Sequence, residues 1–222
     1  MNFIEVDMYH LYSILVKPKY NKKYVMAINE SCKIYLSSPF KHYCLTDEPD
    51  QFIGTDIIPI DVRDHDLEGW WFKLLLFKPG LCEDGAKCIF FDLDSKLLKP
   101  IDEMLQFGDK LIIGQNPSKI THKSLVNTHL RKKTLGMYFT ILNSSIMMWT
   151  GGNHHDLYEK FISASEEYMI KYFGNDEFIT FEYPDGYDIL DMKWIFNRTS
   201  LVDSVFSLKM SDAEVIQMLT KS

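Results

Sequence analysis

The sequence predicts an α/β fold, a single domain over residues 1–222 with one Rossmann-like mixed sheet flanked by helices. Three observations predict it. The chain opens with a short apolar segment, an amphipathic stretch and a second apolar segment, the order of a β-α-β unit. Residues 88–91, Cys-Ile-Phe-Phe, form an apolar run long enough for a strand buried on both faces and too short for a buried helix. At 222 residues, with 46% hydrophobic and 25% charged residues, the chain suits one continuous core, and a second domain would be cramped.

Each element follows from local pattern. Residues 11–16 read as a strand, and Asn21 is placed to cap the helix that follows. From Tyr24 to about Leu36, Ile28, Cys32 and Tyr35 recur at three or four positions, an amphipathic helix. Residues 40–46 return to a strand that runs into Asp47, Glu48 and Pro49. Residues 57–60 contain Pro59, which assigns them to an edge strand or a strand end. Residues 69–77, Gly-Trp-Trp-Phe-Lys-Leu-Leu-Leu-Phe, are apolar on all sides except Lys73, hence a buried helix carrying one cation inward. A buried Lys is rare unless paired, so Lys73 is expected to meet a carboxylate or a phosphate.

The apolar run at 88–91 ends in Asp92 and Asp94. Residues two apart in an extended segment point the same way, and ligands in open α/β sheets sit beyond the carboxyl ends of the strands. The pair therefore suggests a hard-cation site, Mg²⁺ or Mn²⁺ held by oxygen and bridging substrate phosphates, against the plainer reading of a solvated acidic turn. Residues 95–99 alternate again, and Pro100, Asp102 and Glu103 open a short helix through Leu105. Residues 110–114 read as a strand. The polar stretch 116–133, with Lys119, His122, Lys123, His129, Arg131 and Lys132, reads as a long loop on the acceptor side of a site or as a solvated insertion.

Residues 138–149 read as strand, polar interruption, strand, in which Asn143 and Ser144 either bind a polar ligand or support a bulge. Asn153 is expected to cap one helix running to Tyr172, with His154 and His155 as surface imidazoles in its first turn. Asp176 and Glu177 open another helical turn, one facing the site and the other capping. Residues 204–208 read as a strand, and Ser211 with Glu214 as a capping box for a last helix.

The net charge of −7 argues against a nucleic-acid surface. Cys32, Cys44, Cys82 and Cys88 lack metal-ligand spacing and read as reduced core thiols. No apolar stretch approaches the roughly 18 residues of a spanning helix, and acids interrupt the N-terminal apolar segment, so a soluble cytoplasmic protein without an integral membrane segment is expected.

WWFKLLLFKPG at 70–80, FFDLDSKLLKPIDEM at 90–104, LNSSIMMW at 142–149, NDEFIT at 175–180 and VFSLK at 205–209 resemble, in that order, landmarks of nucleotide-sugar glycosyltransferases of the A-type fold. The resemblance is to the families related to glycogenin and the bacterial lipopolysaccharide glycosyltransferases of family 8. The opening at 17–49, with its Leu-Thr-Asp turn, resembles that family's first β-α-β unit. The resemblance implies a donor-binding half at about 11–115 and an acceptor-side half at about 116–222. It also implies a sugar nucleotide donor, UDP-linked, a glycan or other hydroxyl acceptor, and Mn²⁺ or Mg²⁺ on Asp92 and Asp94. Thr46 and Asp47 would lie near the uracil and ribose, Asn143 and Ser144 would face the donor sugar, and Lys209 would meet the diphosphate. Lys73 matches a family Lys, and Asp176 the acid of a family Asp-Gln pair in which Glu177 here replaces Gln, which makes both candidate catalytic residues. If transfer inverts configuration, Asp176 or Glu177 is the base for the acceptor hydroxyl; if it retains, they position the sugar. The family's C-terminal metal-ligating His has no counterpart, since no His follows His155.

Two other readings share the same residues. A strand ending in Asp-x-Asp also opens haloacid dehalogenase-like phosphatases, with Asp92 as nucleophile and Asp94 as general acid, although Lys96 stands where that motif carries Thr or Val. A non-catalytic sugar-nucleotide or glycan-binding module with a degenerate site is the third.

Overall fold

A computed structural model describes residues 8–16, 19–115, 140–196 and 206–207. Strand β1 (Tyr9–Leu15) leads through α1 (Lys22–Tyr35) to β2 (Phe40–Thr46), then β3 (Ile57–Asp61), β4 (Lys87–Phe91), β5 (Lys96–Leu97), β6 (Leu111–Gln115) and β7 (Leu142–Thr150). Helices α2 (His155–Ile162), α3 (Ser165–Lys171) and α4 (Asn175–Glu182) follow, then β8 (Tyr187–Ile189), β9 (Ile195–Phe196) and β10 (Phe206–Ser207). Among the described residues the main sheet has seven strands in the order β3-β2-β1-β4-β7-β6-β8, mixed because β7 runs antiparallel to both β4 and β6. A small second sheet is ordered β5-β10-β9.

The predicted central strand is central: β4 lies fourth of seven, between β1 and β7. Its alternation explains how. Cys88 and Phe90 enter the core layer formed with the 3-10 helix Gly69–Phe77, whereas Ile89 and Phe91 enter the opposite layer with Ile28 and Cys32 of α1. Burying Phe90 and Phe91 on opposite faces contributes roughly 2–3 kcal/mol each. All four cysteines are buried. Asn21 caps α1 as expected, its side chain accepting from the Lys23 amide, and Pro59 sits on the edge strand β3.

Several expectations are corrected. Residues 69–77 form a 3-10 helix in place of the expected buried helix of ordinary pitch, and at three residues per turn Trp70, Lys73 and Leu76 align on one side. Residues 142–150 form one strand, and the polar interruption is a bulge: the register with β6 shifts between Ile113 and Gly114, so Ser144, Ser145 and Ile146 have no partner there. The expected single helix to Tyr172 is two, α2 and α3. At the break the Ser163 hydroxyl donates to the Lys160 carbonyl at 2.8 Å, competing with the helical ladder. His154, not Asn153, occupies the N-cap of α2, at φ 67°. It is buried, not a surface imidazole: Nδ1 lies 3.0 Å from the Tyr183 hydroxyl and the ring meets Phe77 edge-on, and burial holds its pKa below the usual range. The expected last helix from Ser211 and the whole loop at 116–133 lie outside the described residues.

Candidate active site

Strand β1 pairs with β2 on one side and with β4 on the other, while the chain passes from β1 to β2 to β3 before returning to β4. The switch point therefore falls between the carboxyl ends of β1 and β4, where an open α/β sheet leaves a crevice. Two adjoining cavities occupy it. One, of about 280 Å³, is lined among others by Val16, Lys19, Tyr20, Asp92 and Asp94. The other, of about 250 Å³, is lined among others by Asn143, Ser144, Asn175, Asp176 and Glu177. Trp70, Lys73 and Asp92 line both.

Lys73 stands at the junction. Its ammonium lies 2.7 Å from Asp92 Oδ1 and donates to the Ser144 carbonyl at 3.2 Å and hydroxyl at 3.1 Å, although the residue is only 8% exposed. The expected carboxylate partner is thus present. Lys73 reaches it because Asp92 continues the parity of Cys88 and Phe90, toward the layer that holds the 69–77 helix.

Asp94 reaches the same cavity by a different route from the pleat expected for it. A turn follows Asp92, closed by the Ser95 amide on the Asp92 carbonyl at 2.9 Å, and swings Asp94 toward the segment after β1. There Asp94 Oδ2 accepts from the Tyr20 hydroxyl at 2.8 Å and lies 4.0 Å from Lys19 Nζ. Burial and the Asp94 carboxylate push the Tyr20 phenol well above its usual pKa, so it remains a hydrogen-bond donor at neutral pH.

The bulge of β7 builds the far wall. Asn143 Oδ1 accepts from the Ser145 amide at 2.8 Å, and the Ser145 carbonyl accepts from the Asp92 amide at 2.9 Å, joining bulge and acidic turn. Gly114 permits this approach, since a Cβ there would lie 2.8 Å from the Asn143 carbonyl oxygen. Helix α4 brings its first turn against the bulge. Asp176 Oδ1 accepts from the Ser144 amide at 3.0 Å, and Asn175 Nδ2 donates to the Ser144 hydroxyl at 2.9 Å. Glu177 Oε2 accepts from the Phe173 amide at 2.9 Å, one residue ahead of the N-cap Gly174, and so braces the turn that enters the helix.

Asp92, Asp94, Lys73, Asn143, Ser144, Asp176 and Glu177 are thus brought into one cleft. Thr46 and Asp47 stand one strand away, Thr46 in register with Leu15, and line neither cavity. The Thr46 hydroxyl is turned back into its own loop, accepting from the Glu48 amide at 3.1 Å and from Gln51 at 3.4 Å. Lys209 lies outside the described residues. Sequence reasoning missed Lys19, Tyr20, Asn175 and the exposed aromatic pair Trp70 and Phe173. The Tyr20 contact spans 74 positions and left no local signal, and Trp70 was hidden in an apolar run that reads as wholly buried.

Asp92 and Asp94 place two carboxylates, hard oxygen donors, on one cleft. Among the described residues no group of three His, Cys, Asp or Glu side chains is arranged to hold a metal ion. That donor set fits a magnesium-like ion completed by substrate phosphate and water, and does not fit a fully protein-caged one.

No family model matches the sequence, and no curated protein matches it. Solved structures do. The galactosyltransferase LgtC in complex with donor and acceptor sugar analogs is similar with a TM-score of 0.65 at 12% identity, over 95% of this chain and 94% of LgtC. An active-site variant of LgtC, Gln to Glu, gives 0.67 at 10% identity over 96% and 95%. The apo form of the glycosyltransferase GlyE of Streptococcus pneumoniae gives 0.62 at 11% identity over 92% of this chain and 55% of GlyE, so the chain spans about half of that protein. The shared property is the fold, the A-type fold of the glycosyltransferases. Among the described residues no helix is long and apolar enough to cross a membrane.

Proposed function

We propose that this chain is a metal-dependent glycosyltransferase that moves a sugar from a nucleotide-sugar donor, UDP-linked, to a hydroxyl of a glycan or other acceptor. The observation that carries the reading is one juxtaposition at the sheet's switch point. Two acidic side chains open on the same cleft as a buried ammonium, and a pocket of amides, hydroxyls and carboxylates adjoins them. The first half suits a diphosphate and the second a sugar. The solved neighbours with this fold include a galactosyltransferase holding donor and acceptor sugar analogs.

A departing nucleoside diphosphate develops negative charge, and a net acidic protein must supply local cations to hold it. Mn²⁺ or Mg²⁺ on Asp92 and Asp94 supplies, when bound, a Lewis acid for that charge. Lys73 adds a fixed ammonium whose position is set by Asp92 and Ser144, so it costs little reorganisation during the reaction. Lys209 is assigned a second cationic contact to the diphosphate. Asp47, at the carboxyl end of β2 beside Thr46, is assigned to the nucleoside. Asn143 and Ser144 face the donor sugar from the bulge, and Asp176, oriented by the Ser144 amide, is the acid best placed to hold a sugar hydroxyl or accept its proton. Glu177 shares the wall and braces the turn before α4. Residues 11–115 then form the donor half and 116–222 the acceptor half of one catalytic domain acting in the cytoplasm.

Calorimetric titration of UDP and of GDP with Mn²⁺, with Mg²⁺ and with chelator tests this directly. UDP is expected to bind with metal and to lose that binding in chelator and in Asp94→Asn. Nucleotide binding indifferent to chelation, or no binding at all, overturns the donor-site assignment.

A further inference from the structure

Trp70 and Phe173 are large aromatic residues left 46% and 65% exposed at the mouth of the cleft, and both line the cavity that holds Asp176 and Glu177. The pair is built rather than incidental. The rings lie 5.3 Å apart at 38°, and the indole N–H donates to the Phe173 carbonyl at 3.1 Å. Residue 174 is glycine, and a Cβ there would come within 2.5 Å of the indole nitrogen and 2.8 Å of its Cδ1. Gly174 has φ −175°, extended backbone open to any residue, so its missing side chain makes room for the indole and serves no backbone need. The Phe173 amide is held from the other side by Glu177.

We propose that Trp70 and Phe173 form the platform for the acceptor, on which a pyranose ring lies with its C–H face against the aromatic rings. The inference rests on the glycosyltransferase reading. The indole has spent its only donor on Phe173, so what Trp70 offers the cleft is an apolar ring face. A pyranose presents an apolar face and an edge of hydroxyls, and this corner of the cleft supplies the complement of each: aromatic carbon from Trp70 and Phe173, and oxygen acceptors from Asp176 and Glu177. The inner wall, Asn143 and Ser144, belongs to the donor sugar, whereas the aromatic pair stands at the solvent-facing rim where a second substrate enters. Exposed Trp and Phe beside a polar pocket are otherwise a solubility liability.

Trp71 and Trp149 are buried and Trp194 is partly buried, so Trp70 is the tryptophan best placed to respond to a cleft ligand. Acrylamide quenching of tryptophan emission is measured while maltose, lactose, cellobiose and methyl glycosides are titrated, with and without UDP and Mn²⁺, and saturation-transfer NMR identifies the sugar protons in contact. At least one saccharide is expected to protect emission, with saturation strongest on C–H protons of one ring face. Trp70→Phe is expected to remove the fluorescence response, and Trp70→Ala and Phe173→Ala each to weaken saccharide binding about tenfold, while the UDP affinity of Phe173→Ala, whose side chain does not line the Asp94 cavity, stays within about twofold. If UDP binds and no saccharide protects Trp70, or saccharides bind both alanine variants as they do the wild type, the platform is overturned. Protection by an alkyl detergent but by no sugar overturns it in favour of an apolar acceptor. If saccharides bind through Trp70 while UDP does not bind, the platform stands and the donor assignment falls.

Discussion

Replacing Lys73 by Met removes the ammonium at the centre of the cleft and keeps a stem that packs near Phe90, whose ring centroid lies 5.2 Å from the nitrogen. Stripping one partner from a fully buried ion pair costs about 3–5 kcal/mol. Here the Asp92 side chain is 27% exposed, so water recovers part of that loss, and the Ser144 hydroxyl keeps its bond from Asn175. The expected cost of Lys73→Met is therefore about 2–3 kcal/mol, a fall of about 4–12 °C in Tm for a chain of this size. Asp92→Asn strands a more deeply buried charge, since the Lys73 side chain is only 10% exposed, and should cost more, about 3–4 kcal/mol. The double variant removes the pair together and should cost about 1–2 kcal/mol less than the sum of the singles. Urea unfolding followed by far-UV circular dichroism in chelator gives all three values. Additivity within about 0.5 kcal/mol would refute the ion pair as the organising contact of the cleft.

Tyr20→Phe removes the hydroxyl that holds Asp94 and should cost about 1 kcal/mol of stability while weakening Mn²⁺-dependent UDP binding; calorimetry that shows unchanged affinity would disconnect Tyr20 from the acidic site. Gly174→Ala places a methyl against the Trp70 indole and should increase acrylamide quenching of tryptophan emission, because the ring is pushed outward; an unchanged quenching constant contradicts the packing described. His42 is fully enclosed, between the Ser13 hydroxyl at 2.9 Å and Asn29 Oδ1 at 3.2 Å, and burial lowers its pKa to about 3. With an unfolded value near 6.5, the unfolded chain binds the extra proton between those limits, so stability falls as pH drops below about 6.5, by up to about 1.4 kcal/mol per unit. Urea midpoints between pH 7.5 and 5 should fall more steeply in the wild type than in His42→Gln, and equal slopes would exclude His42 as the source.

Features set by short-range pattern are legible in the sequence, and those set by contacts between distant positions are not. Strand β4 is readable because burial on both faces leaves an unbroken apolar run, and the two carboxylates that end it stand in the sequence itself. The buried status of Lys73 was readable for the same local reason, a single charge in an apolar stretch. The pitch of residues 69–77 is not, since an all-apolar run fits a 3-10 helix as well as an ordinary one, and the tighter pitch brings Trp70 and Lys73 directly into line. Asn143 and Ser144 announced a break in β7, but whether it was a gap or a bulge depended on the register with β6, over 25 positions away. His154 misled because imidazoles are common on surfaces, and its burial depends on Phe77 and Tyr183, both distant in sequence. The Thr46 hydroxyl accepts from two donors of its own turn, Glu48 and Gln51, contacts that the Leu-Thr-Asp pattern does not announce.

On the proposed reading, this cleft transfers sugar from a nucleotide donor with help from a divalent ion on Asp92 and Asp94. Release of free nucleoside diphosphate from a panel of UDP- and GDP-sugars, measured with Mn²⁺, with chelator and in Asp94→Asn, tests it most directly. UDP release is expected from at least one UDP-sugar, raised by a glycan acceptor and abolished by chelator and by Asp94→Asn. Release that persists in chelator and in Asp94→Asn, or no release from any donor by a folded protein that binds UDP, would contradict it.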